Sequence, residues 1–549
     1  MRSNEFYNEF NEKIKDLNLE ELKSIINNVI RKIPETRYDE TLSIFDKEIS
    51  NINENDIGNR IKEYKEKFEQ IDNIELYFHA TGYEEYGEYY DPWGGDWVWE
   101  YTDDDNIGSL IYDATVLAVD LTNKKQYKYA KELFDMVIFA NYQFIDDDGG
   151  DICEISLTEL EEHNLINIKV DIVCLYAIYV TYQCSNEMSK AENIYEYFKN
   201  DSFRKISIED SFRLGSEVMK DLDIFWNNWI NLLLTKAGSV EYRLLKEAME
   251  YNNYNNYQQY VDKFALNHPK MYIDIFNYLE ENNQIDEIVN IGNKALLLID
   301  KNLTIRNDIA LYLAKYDNSN KEKYIIESFK SNTNIPNLLR IINNGYYDKN
   351  RDEIDNYINN IIKNDRVSYF ITELHKNTIT KKEYNYLRFF TGNFDEFLDE
   401  CMKVKSPLGW SDSFIQYGVY LLLLYFNNYF NSKVYNSILK DTFKEFEFEN
   451  NTLFLDSEYL LIFQHWKKQF VITDKEKYID WLKSVIDKRV EAIVTNDHRK
   501  SYFKAAILVV ALGETLESNN MGNKEEFINS YHKKYIRRSS FRKELNKYL

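Results

Sequence analysis

Two groups of aspartates flank a predicted pair of helices and could bind a hard cation. One group precedes a helix that begins near Ile107, and the other follows the partner helix, which is predicted to end near Phe144. In an antiparallel hairpin both groups lie at the same end, where their charges repel unless a cation, a basic side chain or solvent compensates them. The members are Asp103, Asp104, Asp105, Asp146, Asp147, Asp148 and Asp151.

A metal site is one interpretation of these aspartates. Oxygen-only ligands favour Ca²⁺ or Mg²⁺, although the spacing differs from that of an EF-hand loop. The candidate metal ligands are Asp105, Asp146, Asp147 and Asp148, and no other cofactor is predicted. The alternative is structural. Asp103–Asp105 suit a helix N-terminus, and the second group then belongs to a solvated acidic loop in which Gly149-Gly150 ends the helix.

Three of the eight tryptophans fall within one short segment, at Trp93, Trp97 and Trp99. Residues 81–106 also contain several glycines and interrupt the helical pattern, which predicts an irregular insert of the kind that is often functional. Exposed indole rings could bind a peptide, a sugar or a base. Alternatively, the segment is a loop anchored by buried indoles, or a short strand. We treat these tryptophans, together with the aspartates, as candidate binding residues.

Basic residues gather near the end of the sequence. His498, Arg499 and Lys500 could bind phosphate or exchange protons, but no nucleophile lies beside them, and a polar turn between helices explains them equally simply. The basic tail comprises Lys533, Lys534, Arg537, Arg538, Arg542, Lys543 and Lys547. It could bind nucleic acid or an acidic surface of its own chain. The helical spacing of Tyr531, Tyr535 and Phe541 indicates a packing face.

Familiar catalytic signatures are missing. The sequence contains no Gly-rich phosphate loop, no G-x-S-x-G elbow and no H-E-x-x-H helix, which excludes several large enzyme classes. We predict no catalytic residues, and whether the protein is an enzyme stays open.

The composition favours helices. The 549 residues include only 17 glycines and 5 prolines, whereas turn-rich β-sandwiches and Gly-loop nucleotide folds need more of both. The formal charge of −25 opposes wrapping of nucleic acid by the chain as a whole and suits a basic partner. The first residues resemble no signal peptide, and the apolar runs are too short to span a bilayer. These features predict a cytoplasmic protein that does not contact membranes.

Apolar residues recur at helical spacing along most of the chain. From Ile107 onward they mark helical hairpins about 33–40 residues apart, a spacing typical of tetratricopeptide-like arrays. The fold prediction is therefore an all-α helical-hairpin repeat, or α-solenoid, interrupted by the insert near 81–106. The predicted segments are 1–80 (N-terminal helices), 81–106 (insert), 107–250 (hairpins with the acidic loop), 251–370 (helical repeats) and 371–549 (a C-terminal helical domain with the basic tail).

Several phrases carry a family resemblance. They are Asp146-Asp147-Asp148-Gly149, Pro407-Leu408-Gly409-Trp410-Ser411, and the C-terminal runs 489–494, 498–502 and 535–545. From about residue 100 to its end the chain resembles uncharacterised bacterial all-helical proteins, related to the helical region that accompanies SWIM zinc fingers. A SWIM finger needs closely spaced cysteines and a histidine, which this sequence lacks. The resemblance therefore implies an all-helical fold and leaves the activity open.

The sequence as a whole predicts a non-enzymatic helical scaffold that binds a protein partner of basic character. One alternative is a metal-dependent hydrolase that uses the clustered aspartates. Another is a nucleic-acid accessory protein that acts through the basic tail.

Overall fold

The structure, a computed structural model, describes residues 19–34, 54–85, 96–146, 152–215, 217–363, 377–446 and 458–548, with a few isolated positions between them. The chain divides into two compact units whose boundary lies between Leu232 and Leu233. The described residues are mainly helical, as predicted. None of the described helices combines the length and the apolar composition that a bilayer-spanning helix requires.

Unit 1, which precedes the boundary, contains helices and one small sheet. Its helices are α1 (Leu19–Ile30), α2 (Glu54–Asp72), α3 (Ile107–Asn123), α4 (Tyr127–Phe139), α5 (Leu157–Glu162), α6 (Val170–Cys184), α7 (Lys190–Tyr195), α8 (Ile208–Ser211) and α9 (Leu222–Leu233), the last of which ends at the boundary. Its strands are β1 (Phe78–Glu85), β2 (Asp96–Thr102), β3 (Gln143–Asp146) and β4 (Ile152–Glu154).

The hairpin predicted to start at Ile107 is confirmed as α3 and α4. The turn between them passes through Lys125, whose backbone is left-handed with φ 63°. The apolar stripes of both helices are buried, as helical spacing requires. The buried residues include Ile107, Leu110, Ile111, Ala114, Leu117 and Ala118 on α3, and Leu133, Phe134, Val137 and Ile138 on α4.

The prediction of an irregular insert at 81–106 is wrong for its described parts, because β1 and β2 extend into it. The sheet has the order β2-β1-β3-β4. Strand β1 is antiparallel to β2, with Gly82 opposite Trp99, and parallel to β3, with Phe78 opposite Phe144. Aromatic residues that alternate along a strand pack well on a pleated surface, and this alternation in β2 favours a strand over the loop that the glycines elsewhere in the segment suggested.

The helix predicted to end near Phe144 ends at Phe139 instead. Phe144 lies in β3, where its ring contacts Phe78 at 5.9 Å and stacks on Tyr101 at 4.3 Å between centroids. These contacts join residues that are distant in the sequence. Residues 143–146 form them as a strand and do not continue α4 by another turn. Gly150, predicted as part of a helix stop, has φ 69° in the connection between β3 and β4, and its N–H donates to the Asp146 carbonyl at 2.8 Å.

Unit 2, which follows the boundary, contains helices joined by turns and loops, and none of the strands of the sheet lies in it. Its helices are α10 (Ser239–Tyr251), α11 (Val261–Asn267), α12 (Met271–Glu281), α13 (Ile285–Leu298), α14 (Ile305–Tyr316), α15 (Lys321–Ser331), α16 (Ile335–Asn343), α17 (Tyr347–Lys363), α18 (Lys381–Phe390), α19 (Phe394–Met402), α20 (Phe414–Phe426), α21 (Lys433–Glu445), α22 (Tyr459–Gln469), α23 (Lys475–Thr495), α24 (Tyr502–Ser518), α25 (Lys524–Lys534) and α26 (Ser539–Asn546).

The helix pairs predicted for this part of the chain are confirmed as α12–α13 and α14–α15. The side chain of Asp474 accepts the N–H of Lys477 and caps the start of α23. A regular superhelical repeat, and the division into five segments, stay predictions.

Candidate binding surface

The strands of the small sheet in unit 1 are rich in acidic and aromatic residues. Its four described strands contain six aspartates and glutamates and no lysine or arginine. The acidic residues are Glu84, Glu85, Asp96, Glu100, Asp146 and Glu154. Like charges on neighbouring strands repel one another, and the described strands themselves contain no lysine or arginine to offset them. We call the four strands, with the adjoining Asp103–Asp105, the acidic sheet surface.

Trp99 is the candidate tryptophan whose side chain the structure describes. It lies in β2 and is 43% exposed. The backbone of Trp97 is in the same strand, opposite Glu84. Trp93 lies outside the described residues. Trp99 thus has the partial exposure that a binding residue needs, combined with a rigid strand backbone.

One face of the sheet combines this tryptophan with an acidic residue. Trp99 lies opposite Gly82, and two residues further along β1 the next position on that face is Ala80, which lies opposite Asp146. Strands are about 4.8 Å apart, so the backbones of β2 and β3 are about 10 Å apart across β1. The two β1 residues between Trp99 and Asp146 are Gly82 and Ala80. Both are small, so no bulky side chain of β1 separates the aromatic ring from the carboxylate.

Aromatic packing fixes the other end of this face. Phe78 is fully buried, and Tyr101 contacts both Phe144 and His163 at 4.3 Å between ring centroids. Paired rings of this kind contribute about 0.5–1.5 kcal/mol each beyond their burial. The exposed part of the face is therefore held by a buried part of the same strands.

The first aspartate group has a structural role in two of its three members. Asp103 accepts hydrogen bonds from the backbone N–H groups of Ile107 and Gly108, at 2.7 and 2.8 Å, and so caps α3. Asp105 accepts the N–H of Tyr77 at 3.1 Å and ties the start of β1 to this turn. Asp104 is exposed. The structural alternative therefore describes Asp103 well, while Asp104 adds negative charge at the surface.

Asp146 is the member of the second aspartate group that the structure describes. Asp146 ends β3 at the level of Ala80, whereas Asp103 follows Thr102, which lies opposite His79. Among the residues that the structure describes, no three histidines, cysteines, aspartates or glutamates are arranged to hold a metal ion. Asp147, Asp148 and Asp151 lie outside the described residues, so the metal site stays a prediction.

The basic residues near the chain's end are organised around Asp497, which sequence reasoning missed. Its carboxylate accepts Arg499 Nη2 at 3.2 Å, the Tyr502 hydroxyl at 2.7 Å and Arg538 Nη1 at 3.0 Å. The hydrogen bond from Arg499, followed by that from Tyr502, lowers the pKa of Asp497. Nothing in the local sequence indicates this role, because Arg538 comes from a different turn.

Two of the phrases that carry the family resemblance meet in unit 2. The Arg489 guanidinium lies 4.6 Å from the centre of the Trp410 ring, and its Nη1 donates to the Pro407 carbonyl at 2.8 Å. Burial lowers the pKa of Arg489 to about 10. This contact packs α23 against the loop before α20, which gives both phrases a structural role.

Comparison with known proteins finds no protein-family model and no curated protein sequence that the chain matches.

Proposed function

We propose that the protein is a helical scaffold that binds a basic protein partner through the acidic sheet surface. The observation that carries the proposal is the composition of the four strands, which contain six carboxylates and no lysine or arginine, together with the exposure of Trp99. A lysine or arginine over an exposed indole contributes about 0.5–1 kcal/mol, and each exposed ion pair contributes about 0–1 kcal/mol. Binding therefore needs several such contacts at once and weakens as salt concentration rises.

The helices of unit 1 support this surface. Asp103 caps α3, and Asp105 accepts a hydrogen bond from the N–H of Tyr77, which directly precedes β1. The turn that carries the exposed Asp104 is therefore fixed at both ends. A rigid surface loses little conformational entropy on binding. This supports a role in binding and requires no catalytic residue.

Site-specific photo-crosslinking tests the proposal in cells. A benzophenone amino acid replaces Trp99, and a matched control places it at Tyr112 on α3, which is 40% exposed compared with 43% for Trp99. We expect the Trp99 position to capture a partner with a lysine- or arginine-rich surface. We also expect Glu100→Lys combined with Asp104→Lys to abolish this capture.

A charge control completes the experiment. Asp120→Lys with Glu162→Lys makes the same change in net charge at exposed positions of unit 1 outside the sheet, and capture should persist in this variant. Equal capture at both crosslinker positions, or capture that survives the Glu100/Asp104 reversal, would refute the proposal.

A further inference from the structure

Unit 2 carries a concentrated positive surface in a chain whose formal charge is −25. Residues 495–504 and 533–543 contain nine lysines and arginines and a single acidic residue, Asp497. The two segments belong to different turns, one before α24 and the other between α25 and α26. We call these two segments the basic surface.

Asp497 joins the two segments. It contacts Arg499 from the first segment and Arg538 from the second, and Arg538 Nη2 also donates to the Thr495 carbonyl at 3.1 Å. One carboxylate charge therefore faces two guanidinium charges. Around this contact the surface keeps a positive surplus, because the neighbouring Lys500 and Arg537 are both exposed.

The residues of the basic tail form an ordered surface and do not trail from the fold. Tyr531 and Tyr535 are buried and Phe541 is fully buried, which confirms the packing face that their spacing predicted. The Phe541 ring packs against Tyr502 of the first segment, with 5.8 Å between ring centroids, and against Tyr535, with 5.5 Å between ring centroids. The core of unit 2 therefore fixes the backbone of both segments, including the backbone that carries the lysines and arginines.

Acidic residues outside the two segments neutralise part of this surface. Lys534 contacts Asp487 at 2.8 Å and Glu491 at 3.9 Å. Arg499 is paired with Asp497, but 72% of its side chain is exposed, and Lys543 is exposed as well. Arg499, Lys500 and Arg537 therefore all lie at exposed positions of the basic surface.

Two exposed apolar side chains adjoin these cations. Phe503 follows Tyr502 at the start of α24 and is 43% exposed, and Ile536 precedes Arg537 and is 65% exposed. Arginines and lysines that bind phosphates, next to an aromatic ring on which a base can stack, suit a single nucleic-acid strand. An acidic protein surface would use the same charges but would not need the exposed ring.

We propose that the basic surface binds single-stranded nucleic acid, with Arg499, Lys500 and Arg537 contacting phosphates and Phe503 stacking on a base. This site is separate from the acidic sheet surface and does not depend on the function proposed for it.

Fluorescence anisotropy with the full chain tests this site. The probes are labelled single-stranded DNA and RNA of one sequence, about 20 nucleotides long, which exceeds the ~4–16-nucleotide sites of many single-strand binders. The variant combines Arg499→Gln, Lys500→Gln and Arg537→Gln. It leaves Arg538 and Asp497 in place, so that the two segments stay joined, and circular dichroism verifies the fold.

We expect the triple variant to bind at least about tenfold more weakly than wild type at about 50 mM salt. Its slope of log affinity against log salt concentration should fall by about 2, since each single-strand phosphate contact contributes about 0.7. Phe503→Ala should weaken binding while leaving that slope unchanged. Binding of either DNA or RNA supports the proposal, and the two probes identify which strand is preferred.

The control variant combines Lys301→Gln, Lys405→Gln and Lys475→Gln, three exposed lysines elsewhere in unit 2, and should bind as wild type does. Three results would overturn the proposal. The first is that the wild type binds neither probe, and the second is that the control variant loses as much affinity as the triple variant. The third is that polyglutamate of matched charge displaces the probe as well as the unlabelled strand does.

Discussion

Replacement of Glu514 by glutamine should destabilise unit 2, because this buried carboxylate holds three segments together. Glu514 lies within α24 and is 1% exposed. One of its oxygens accepts Lys524 Nζ at 3.1 Å, and the other accepts Asn427 Nδ2 and the Ser432 hydroxyl, both at 3.0 Å. These donors come from the start of α25, the end of α20 and the cap of α21.

The magnitude follows from these three bonds. A hydrogen bond to a charged group contributes about 1.5–3 kcal/mol and a neutral one about 1 kcal/mol. Glutamine can still accept from Asn427 and Ser432, but its amide N–H₂ repels the Lys524 ammonium, so that bond is lost entirely. Lys524 keeps partial access to water, since its side chain is 21% exposed, and this limits the penalty. We expect a loss of about 2–4 kcal/mol.

Urea unfolding followed by circular dichroism measures the loss, and amide exchange of peptides from α24 assigns it to unit 2. Lys524→Met and the double variant complete a cycle, in which we expect a coupling of about 1–2 kcal/mol, because residues in one network are not additive. Glu525→Gln, at an exposed position of α25, is the control. A cost below about 0.5 kcal/mol for Glu514→Gln, or additive single effects, would refute the reasoning.

Three further predictions concern single side chains. Asp103→Ala should cost about 1–2 kcal/mol, since the carboxylate accepts two N–H groups in the first turn of α3, and thermal melting measures the loss. Gly292→Ala should cost about 1–3 kcal/mol by the same assay, because the new methyl would lie 2.6 Å from Cδ2 of the buried Leu313. Burial lowers the pKa of Lys467 to about 8, so mass spectrometry should find its labelling by a succinimidyl ester half-maximal near that pH, whereas an ordinary lysine titrates near 10.4.

The sign of the pH dependence follows from this lowered pKa. Above about pH 8 the folded protein holds Lys467 neutral, while the unfolded chain keeps its proton up to about pH 10.4. The contribution of this residue to the free energy of unfolding therefore rises with pH across that window. Labelling of Lys467 that increases only above pH 10 would contradict the prediction.

Matched variants serve as controls for the other two predictions. Asp104→Ala removes an exposed carboxylate from the same turn as Asp103 and should change stability by less than about 0.5 kcal/mol. Gly58→Ala introduces a methyl in α2 with no atom within 4 Å, so it should stabilise the protein by about 0.5–1 kcal/mol. An Asp103 variant as stable as wild type would argue against the cap, and a harmless Gly292→Ala would argue against close packing there.

The helices could be predicted from the sequence because their signal is local. The stripes of α3, α4 and α12–α15 recur at helical spacing, and each helix has enough apolar residues to bury one face. The sheet could not be predicted, because its core pairs Phe78 with Phe144 and depends on strands that are distant in sequence. The alternation of Trp97 and Trp99 indicated a strand, but nothing in it identified β1 as the partner.

The candidate sites likewise divide into roles with a local sequence signal and roles that depend on residues distant in the sequence. Asp103 precedes a strong helical stripe, and capping was therefore one of its expected roles. The role of Asp497 depends on Arg538, and the packing of Arg489 depends on Trp410, so neither could be recognised before the fold was known. Counting charges along the sequence located the acidic and basic segments, but it did not show which of these segments are in contact in the folded chain.

Amide hydrogen exchange of the protein with its crosslinked partner tests the central claim most directly. If the acidic sheet surface is the binding site, peptides that cover β2 and the adjoining Asp103–Asp105 gain protection in the complex, and peptides from α10–α15 exchange as in the free protein. Protection confined to unit 2, with unchanged exchange across β2, would contradict the account.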